Sequence, residues 1–337
     1  MVAISDIRRN IASVKNLGSG LVAVFVGGTS GIGLSTAREF ARYATAPHIY
    51  LIGRNEVQAS EIISELRSIN DAATVDFIKS DVSLLKNVDV ACQELLKKET
   101  KVDLLFLSAG ILTMKGRTET IEGIDRKLSL HYYSRIRFIQ NLLPTLNQAA
   151  AASPGSFARV ISVLGAGHEG KLVDGDKDLD LQKNYSLSNA ANHSITMTSL
   201  SMIQLAAANP RISFIHSAPG GVNTNFAREF HPLTKYLFNA LFFVLSPFNS
   251  VIGLVPLQDC GERHVYLATN PAFAPRGGDK VETLGADGEK GSGAYRLGPA
   301  TSIVSHSSLL QGYLDSGMGK KVWEHTVEMF KKATGTA

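Results

Sequence analysis

Apolar residues fall along this chain in two alternating textures. Short, continuously apolar runs rich in β-branched residues occupy 21–26, 48–53, 73–78, 102–108, 157–163 and 211–216. Between them, stretches with apolar residues three and four apart span 32–44, 56–69, 84–99, 120–148 and 185–209. Strands apolar on both faces, separated by helices of ten or more residues, imply a parallel sheet covered on both sides. Right-handed crossovers then make the fold an α/β doubly wound sheet, whose ligand crevice lies at the carboxyl ends of the strands.

The flanks carry their own patterns. Ile4, Ile7, Ile11 and Val14 recur at helical spacing behind Ser5 and Asp6, which predicts an amphipathic N-terminal helix capped there. A secretory leader would need an unbroken apolar run instead. The glycine- and aspartate-rich stretch 166–184 and the polar stretch 271–293 read as mobile surface excursions, and neither marks a domain boundary. A last strand is expected at Ala294–Leu297, and a C-terminal helix over 320–332 anchored by Val322, Trp323, Val327 and Phe330. The resulting organisation is an N-terminal helix at 1–20, a dinucleotide-binding domain at 21–270, and a loop, strand and helix at 271–337. The segment 236–256, apolar but broken by Asn239, Ser246, Pro247, Asn249 and Ser250, reads as a substrate lid within 226–255, with a membrane contact of 233–255 as the alternative.

Composition narrows the partners. With 34 Lys and Arg against 30 Asp and Glu over 337 residues, the net charge of +4 is too small for a nucleic-acid surface. Cys92 and Cys260 are far apart and form no CxxC spacing, so neither a metal knuckle nor a disulfide framework is expected, and a reducing, cytoplasmic setting follows. The partner class is therefore a small molecule, with the chain a monomer or homodimer.

The first strand ends in Val26-Gly27-Gly28-Thr29-Ser30-Gly31-Ile32-Gly33 and runs straight into a helix. Glycines let the backbone approach a pyrophosphate, and the helix N-terminus offers it free N–H groups and partial positive charge. The competing reading is a turn needed only for helix–sheet packing. The second strand ends Leu51-Ile52-Gly53-Arg54-Asn55, with no acid to accept from a ribose 2′-OH. Arg54 instead suits a 2′-phosphate, through charge-assisted bonds of roughly 1.5–3 kcal/mol. NADP(H) is thus expected over NAD(H), the alternative for Arg54 being an ordinary solvated arginine.

These segments, in this order, resemble the short-chain dehydrogenase/reductase family over about 21–270, which implies a single Rossmann-type domain. The family's glycine motif appears at Val26–Gly33 with valine in place of threonine, its adenine-contacting Asp as Asp81 beside Val82, and its Asn-Asn-Ala-Gly as Leu107-Ser108-Ala109-Gly110. Its Pro-Gly-x-Val-x-Thr segment is complete from Pro219 to Thr224, which by resemblance makes Val222 and Thr224 holders of the nicotinamide carboxamide. The run Leu128 to Tyr133, the Trp323 tail and the apolar lid are similar to a filamentous-fungal branch associated with secondary metabolism.

The catalytic residues depart from the family. Tyr185 matches its tyrosine, but the lysine four residues on is Asn189, which the helical pattern places on the same face as Tyr185. Asparagine can bond a ribose hydroxyl yet cannot lower a phenol pKa by charge. Counting back from Pro144, the family's helix asparagine falls on His131, whose titration near neutrality would let it relay a proton to Tyr185 through water; a buried histidine satisfied by backbone is the alternative. A gapless alignment puts the family's serine on Gly165, while Ser162 keeps a Ser-x-x-Gly spacing and is taken as the carbonyl-polarising hydroxyl.

The expected activity is reduction of a ketone, or oxidation of an alcohol, on a bulky apolar metabolite, Phe242 and Phe243 being the clue to a greasy substrate. Two other readings stand beside it: a non-redox step such as epimerisation, dehydration or cyclisation, and a catalytically silent NADP(H)-binding protein.

Overall fold

The computed structural model describes residues 2–152, 157–224, 254–277, 281–305 and 307–336. The lid at 226–255 lies almost wholly outside them. Seven strands form one sheet: β1 (Val22–Val26), β2 (His48–Gly53), β3 (Thr74–Lys79), β4 (Leu104–Leu107), β5 (Arg159–Val163), β6 (Ser213–Ser217) and β7 (Ala294–Leu297), all paired in parallel in the order β3-β2-β1-β4-β5-β6-β7. The order reverses at β1, so β1 and β4 part their following loops and open the crevice that such a topology provides.

Helices cover both faces. On one side α1 (Ile4–Ile11), α2 (Gly31–Tyr43), α3 (Glu56–Ile69) and α8 (Leu257–Thr269) bury Phe25, Phe40, Phe106 and Ile161. On the other, α4 (Leu85–Leu96), α6 (Ser134–Ala151), α7 (Leu187–Ala208) and α10 (Met318–Thr334) close over Val24, Tyr50, Leu105 and Phe214. A short helix α9 (Ser308–Asp315) precedes α10, and a single turn α5 (Arg126–Leu128) precedes α6. Burial on both faces is why the strand sequences are continuously apolar.

Several expectations shift. The N-terminal helix forms and buries Ile7 and Ile11, but Ala3 is its N-cap and Ser5 and Asp6 lie inside its first turn. It is held to α8 by Arg8, which bonds Glu262 at 2.9 Å and Asp259 at 3.2 Å. The stretch 166–184, expected to be a mobile excursion, is pinned from beneath: Val173 N–H donates to His193 Nε2 at 2.8 Å, Leu172 N–H to Tyr313 Oη at 2.8 Å, and Leu172, Leu179 and Leu181 are buried. The helix expected from 120 begins only at Arg126, because Asp125 caps it by accepting from the Lys127 and Leu128 N–H groups. Among the described residues no helix is long and apolar enough to cross a membrane, and no cluster of metal-ligating side chains occurs. Cys92 and Cys260 are both buried free thiols.

Candidate active site

A cavity of about 1020 Å³ opens at the carboxyl ends of β1, β2, β4, β5 and β6. Its first part is built by the β1–α2 turn. Gly27 has a φ of 84°, a left-handed conformation that glycine adopts without strain. A Cβ on Gly33 would stand 2.4 Å from the Gly27 carbonyl oxygen and 2.5 Å from Ser108 Oγ, so helix α2 can start this close to β4 only with glycine there. Ser30, the N-cap of α2, makes no side-chain capping bond. The first-turn N–H groups are left without a side-chain acceptor and suit an anion.

Thr29, Gly31 and Ile32 of the expected pyrophosphate turn line the cavity, followed by Arg54, expected at the 2′-phosphate, and by Asp81 and Val82, expected at the adenine. Asp81 is steadied by Ser83, whose N–H and Oγ donate to its Oδ1 at 3.1 and 2.8 Å. Beyond the turn, Ser108, Ala109, Gly110, Pro219, Val222 and Thr224 line the far part, where β4 and β6 end. Anion donors at one end, a cation at the strand-two tip and a backbone cleft between them fit the pyrophosphate, 2′-phosphate and nicotinamide of a dinucleotide.

The four catalytic candidates are not brought together. His131 lines the cavity, whereas Ser162, Tyr185 and Asn189 are not among its lining residues. Ser162 is fully buried in the middle of the sheet, between Leu107 and His216, and its Oγ accepts from Arg135 Nη1 at 2.8 Å. It therefore supports Arg135 and does not face a substrate carbonyl. At Gly165, the other serine candidate, a Cβ would stand 2.7 Å from Ile195 Cδ1, so any side chain there requires the isoleucine methyl to move.

Tyr185 and Asn189 do not share a helical face. Ser186 is the N-cap of α7, accepting from Asn189 N–H at 3.0 Å, so Tyr185 lies before the helix begins. Asn189 Nδ2 is spent on the Asn184 carbonyl at 2.7 Å. The Tyr185 hydroxyl accepts from Lys127 Nζ at 2.8 Å. Nζ is 5.3 Å from the ring centroid, which places it beyond the ring edge, and the contact is a hydrogen bond with no cation–π character. The phenol is pushed up to about 12 by burial, by the Asp125 charge and by its hydrogen bond to that carboxylate, with Arg117 opposing. Lys127 also donates to the Lys115 and Gly116 carbonyls at 2.8 and 3.1 Å.

His131 sits in a π-helical turn, Ser129–Tyr133, that joins α5 to α6. Such an inserted residue turns a side chain away from its regular direction and is frequent at functional sites. Its Nε2 accepts from the Ile111 N–H at 3.2 Å. Burial, with the Arg135 charge nearby, pulls it down to about 3, so the ring stays neutral near pH 7 and does not act as the titrating relay.

Lys127 and Arg135 were not anticipated as site residues. Arg135 lines the cavity and lies one turn after His131. Lys127, His131 and Arg135 follow at intervals of four within the apolar stretch that holds Leu128, Leu130, Ile136 and Phe138. Basic residues repeating along the buried face of a helix were the available signal.

A family model described as short chain dehydrogenase matches residues 21–233. Oxidoreductase AN1596 of Emericella nidulans is 41% identical over 344 residues, covering 99% of both chains. Short-chain dehydrogenase/reductase SAT2 of Stachybotrys chartarum is 30% identical over 351 residues, covering 97% of this chain and 96% of its own. Among solved structures, the RhlG/NADP active-site complex of Pseudomonas aeruginosa superposes with a TM-score of 0.55 at 18% identity, covering 76% of this chain and 91% of that one, which is a likeness of fold.

Proposed function

The chain belongs to the short-chain dehydrogenase family, in a branch populated by fungal oxidoreductases, and on that premise we propose that it is an NADP(H)-dependent oxidoreductase acting on a ketone or alcohol of a bulky apolar metabolite in secondary metabolism. The observation that carries this reading is the continuous cavity running from the uncapped α2 N-terminus and Arg54 to Val222 and Thr224. Val222 and Thr224 would hold a nicotinamide, which when bound would supply the hydride chemistry. The protein's part is to grip phosphates with backbone N–H groups, to neutralise a 2′-phosphate with Arg54, and to present an apolar wall of Ile111, Leu112, Leu130, Val163 and Leu164 to an apolar skeleton. A reducing cytoplasmic setting with an NADPH pool suits such an enzyme, as a monomer or homodimer.

A second reading is favoured by one specific observation. Tyr185 and Asn189 are tied to Lys127 and Asn184 and do not line the cavity, so the phenol that serves the family as proton donor is engaged with a lysine here. On that reading the fold holds NADP(H) and performs a non-redox step, or binds it silently. The experiment is NADPH oxidation over a panel of bulky aromatic and terpenoid ketones, with binding of NADPH and NADH measured in parallel by cofactor fluorescence. Turnover that disappears in Tyr185→Phe while NADPH still binds supports the reductase; NADPH binding with no oxidation of any ketone supports the second reading, and absence of binding defeats both.

A further inference from the structure

Arg135 buries a guanidinium at the nicotinamide end of the cavity. It is 3% exposed, yet among the described residues no carboxylate comes within ion-pair distance of it, and burial alone depresses it to about 9. Four of its five N–H bonds go to neutral acceptors: Nε to the Leu130 carbonyl at 3.1 Å, Nη1 to Ser162 Oγ and the Val163 carbonyl at 2.8 and 2.7 Å, and Nη2 to the Ala109 carbonyl at 2.7 Å. The fifth N–H belongs to Nη2. That nitrogen lies 3.8 Å from where a Cβ of Gly110 would stand, and Ala109, Gly110 and Arg135 all line the cavity.

Bridging carbonyls does not require a charge, and burying a cation without a counter-ion costs several kcal/mol. A cost of this kind, in a cleft, marks a site waiting for its counter-charge. A second donor belongs to His131, which lines the same cavity and whose Nε2 and Cδ2 edge lies 3.2 and 3.3 Å from that Gly110 Cβ position. Because His131 Nε2 accepts from Ile111, the proton of the neutral ring is on Nδ1, which has no protein partner among the described residues.

We propose that Arg135, with the His131 Nδ1–H as a second donor in the same cavity, binds a negatively charged oxygen of the substrate, so that the ligand class is an apolar molecule bearing an enolate, phenolate or carboxylate. The proposal rests on this cavity being the substrate site and deepens the reading above by adding an anionic head to the greasy body. It also places the counter-charge for the guanidinium on the ligand, where it reports binding directly.

The test uses the whole chain saturated with NADPH, titrated calorimetrically at pH 7 with 2-naphthoate and with 2-naphthamide, a neutral probe of the same shape. The wild-type chain is expected to bind the naphthoate at least about tenfold more tightly, a difference of about 1.4 kcal/mol. Arg135→Met is expected to abolish that preference and Arg135→Lys to keep part of it, with NADPH affinity falling less than tenfold in both, since the Ala109 carbonyl loses its donor only in Arg135→Met. Equal binding of the two probes by the wild type, or a preference that survives in Arg135→Met, overturns the proposal. So does a tenfold fall in NADPH affinity in these variants, because it assigns the guanidinium to the cofactor. If Arg135→Met does not fold, the wild-type comparison and Arg135→Lys decide. Should NADPH fail to bind the wild type, the cofactor reading fails by itself, and the same probes titrated without NADPH still judge Arg135.

Discussion

The ammonium of Lys127 stands 2.8 Å from the phenol oxygen of Tyr185, although the two residues are 58 positions apart. In the family pattern the cation beside this tyrosine comes from four residues further along its own helix, where this chain has Asn189. The positive charge has moved to a different element. It is itself held by the Lys115 and Gly116 carbonyls, while burial and the Asp125 carboxylate keep the phenol protonated.

Such a cluster should couple energetically. Lys127→Met strands the Lys115 and Gly116 carbonyls and is expected to cost about 2–3 kcal/mol, and Tyr185→Phe about 1 kcal/mol. The double variant should lose about 1–2 kcal/mol less than their sum. Urea unfolding of the four proteins measures this, and additive single losses would show that the contact carries no energy.

Arg54 is exposed at the strand-two tip and lines the cavity. Arg54→Ala is expected to weaken NADPH binding about ten- to hundredfold while leaving NADH unchanged. Calorimetric titration of both cofactors reads this directly. Parallel loss of both would mean that Arg54 acts on folding or on the shared part of the dinucleotide.

Restoring the family's serine at Gly165 collides with Ile195. Gly165→Ser alone is expected to lower stability by about 1–3 kcal/mol through overpacking. Combined with Ile195→Ala, the added cost of the serine should shrink, because the methyl that blocks it is gone. Thermal melts of the two single variants and the double test it; an unchanged serine cost in the double would remove Ile195 as the cause.

Acid sensitivity follows from buried neutral histidines. His216 and His264 are each held down to about 4 by burial, His216 bonded to Ser199 and Gly165, and His264 to Cys260 and Ser217. The unfolded chain takes up a proton on each as pH falls below about 6.5, whereas the folded chain does so only near 4. Their contribution is therefore full above 6.5 and is lost between 6.5 and 4, at up to about 1.4 kcal/mol per pH unit for each histidine. Urea midpoints from pH 7 to 4.5 should fall along this slope, and His264→Gln should remove one histidine's share. A midpoint that stays level from 6.5 to 5 contradicts the assignment.

Much of this molecule is determined locally. Continuous apolar strands alternating with amphipathic helices specify a doubly covered parallel sheet, because both periodicities are properties of neighbouring residues. The glycine turn is equally legible, since Gly27 and Gly33 answer to backbone sterics within one β–α unit and its β4 neighbour. Arg54 could be placed by its position at a strand tip, without any distant contact.

What the tertiary structure alone decided is which polar side chains meet. Ser186 capping α7 put Tyr185 outside the helix and removed the face it was expected to share with Asn189, a difference of two residues in a helix boundary. The π-helical turn at Ser129–Tyr133 re-aimed the face that carries Lys127, His131 and Arg135. Their partners, Tyr185, Ile111 and Ser162, come from other elements, and such contacts depend on packing distances of a few ångströms that no sequence spacing encodes. The same burial that packs these groups also sets their protonation, which is why a histidine expected to titrate near neutrality is neutral there, and only the packing shows that Arg135 is a buried cation lining the cavity.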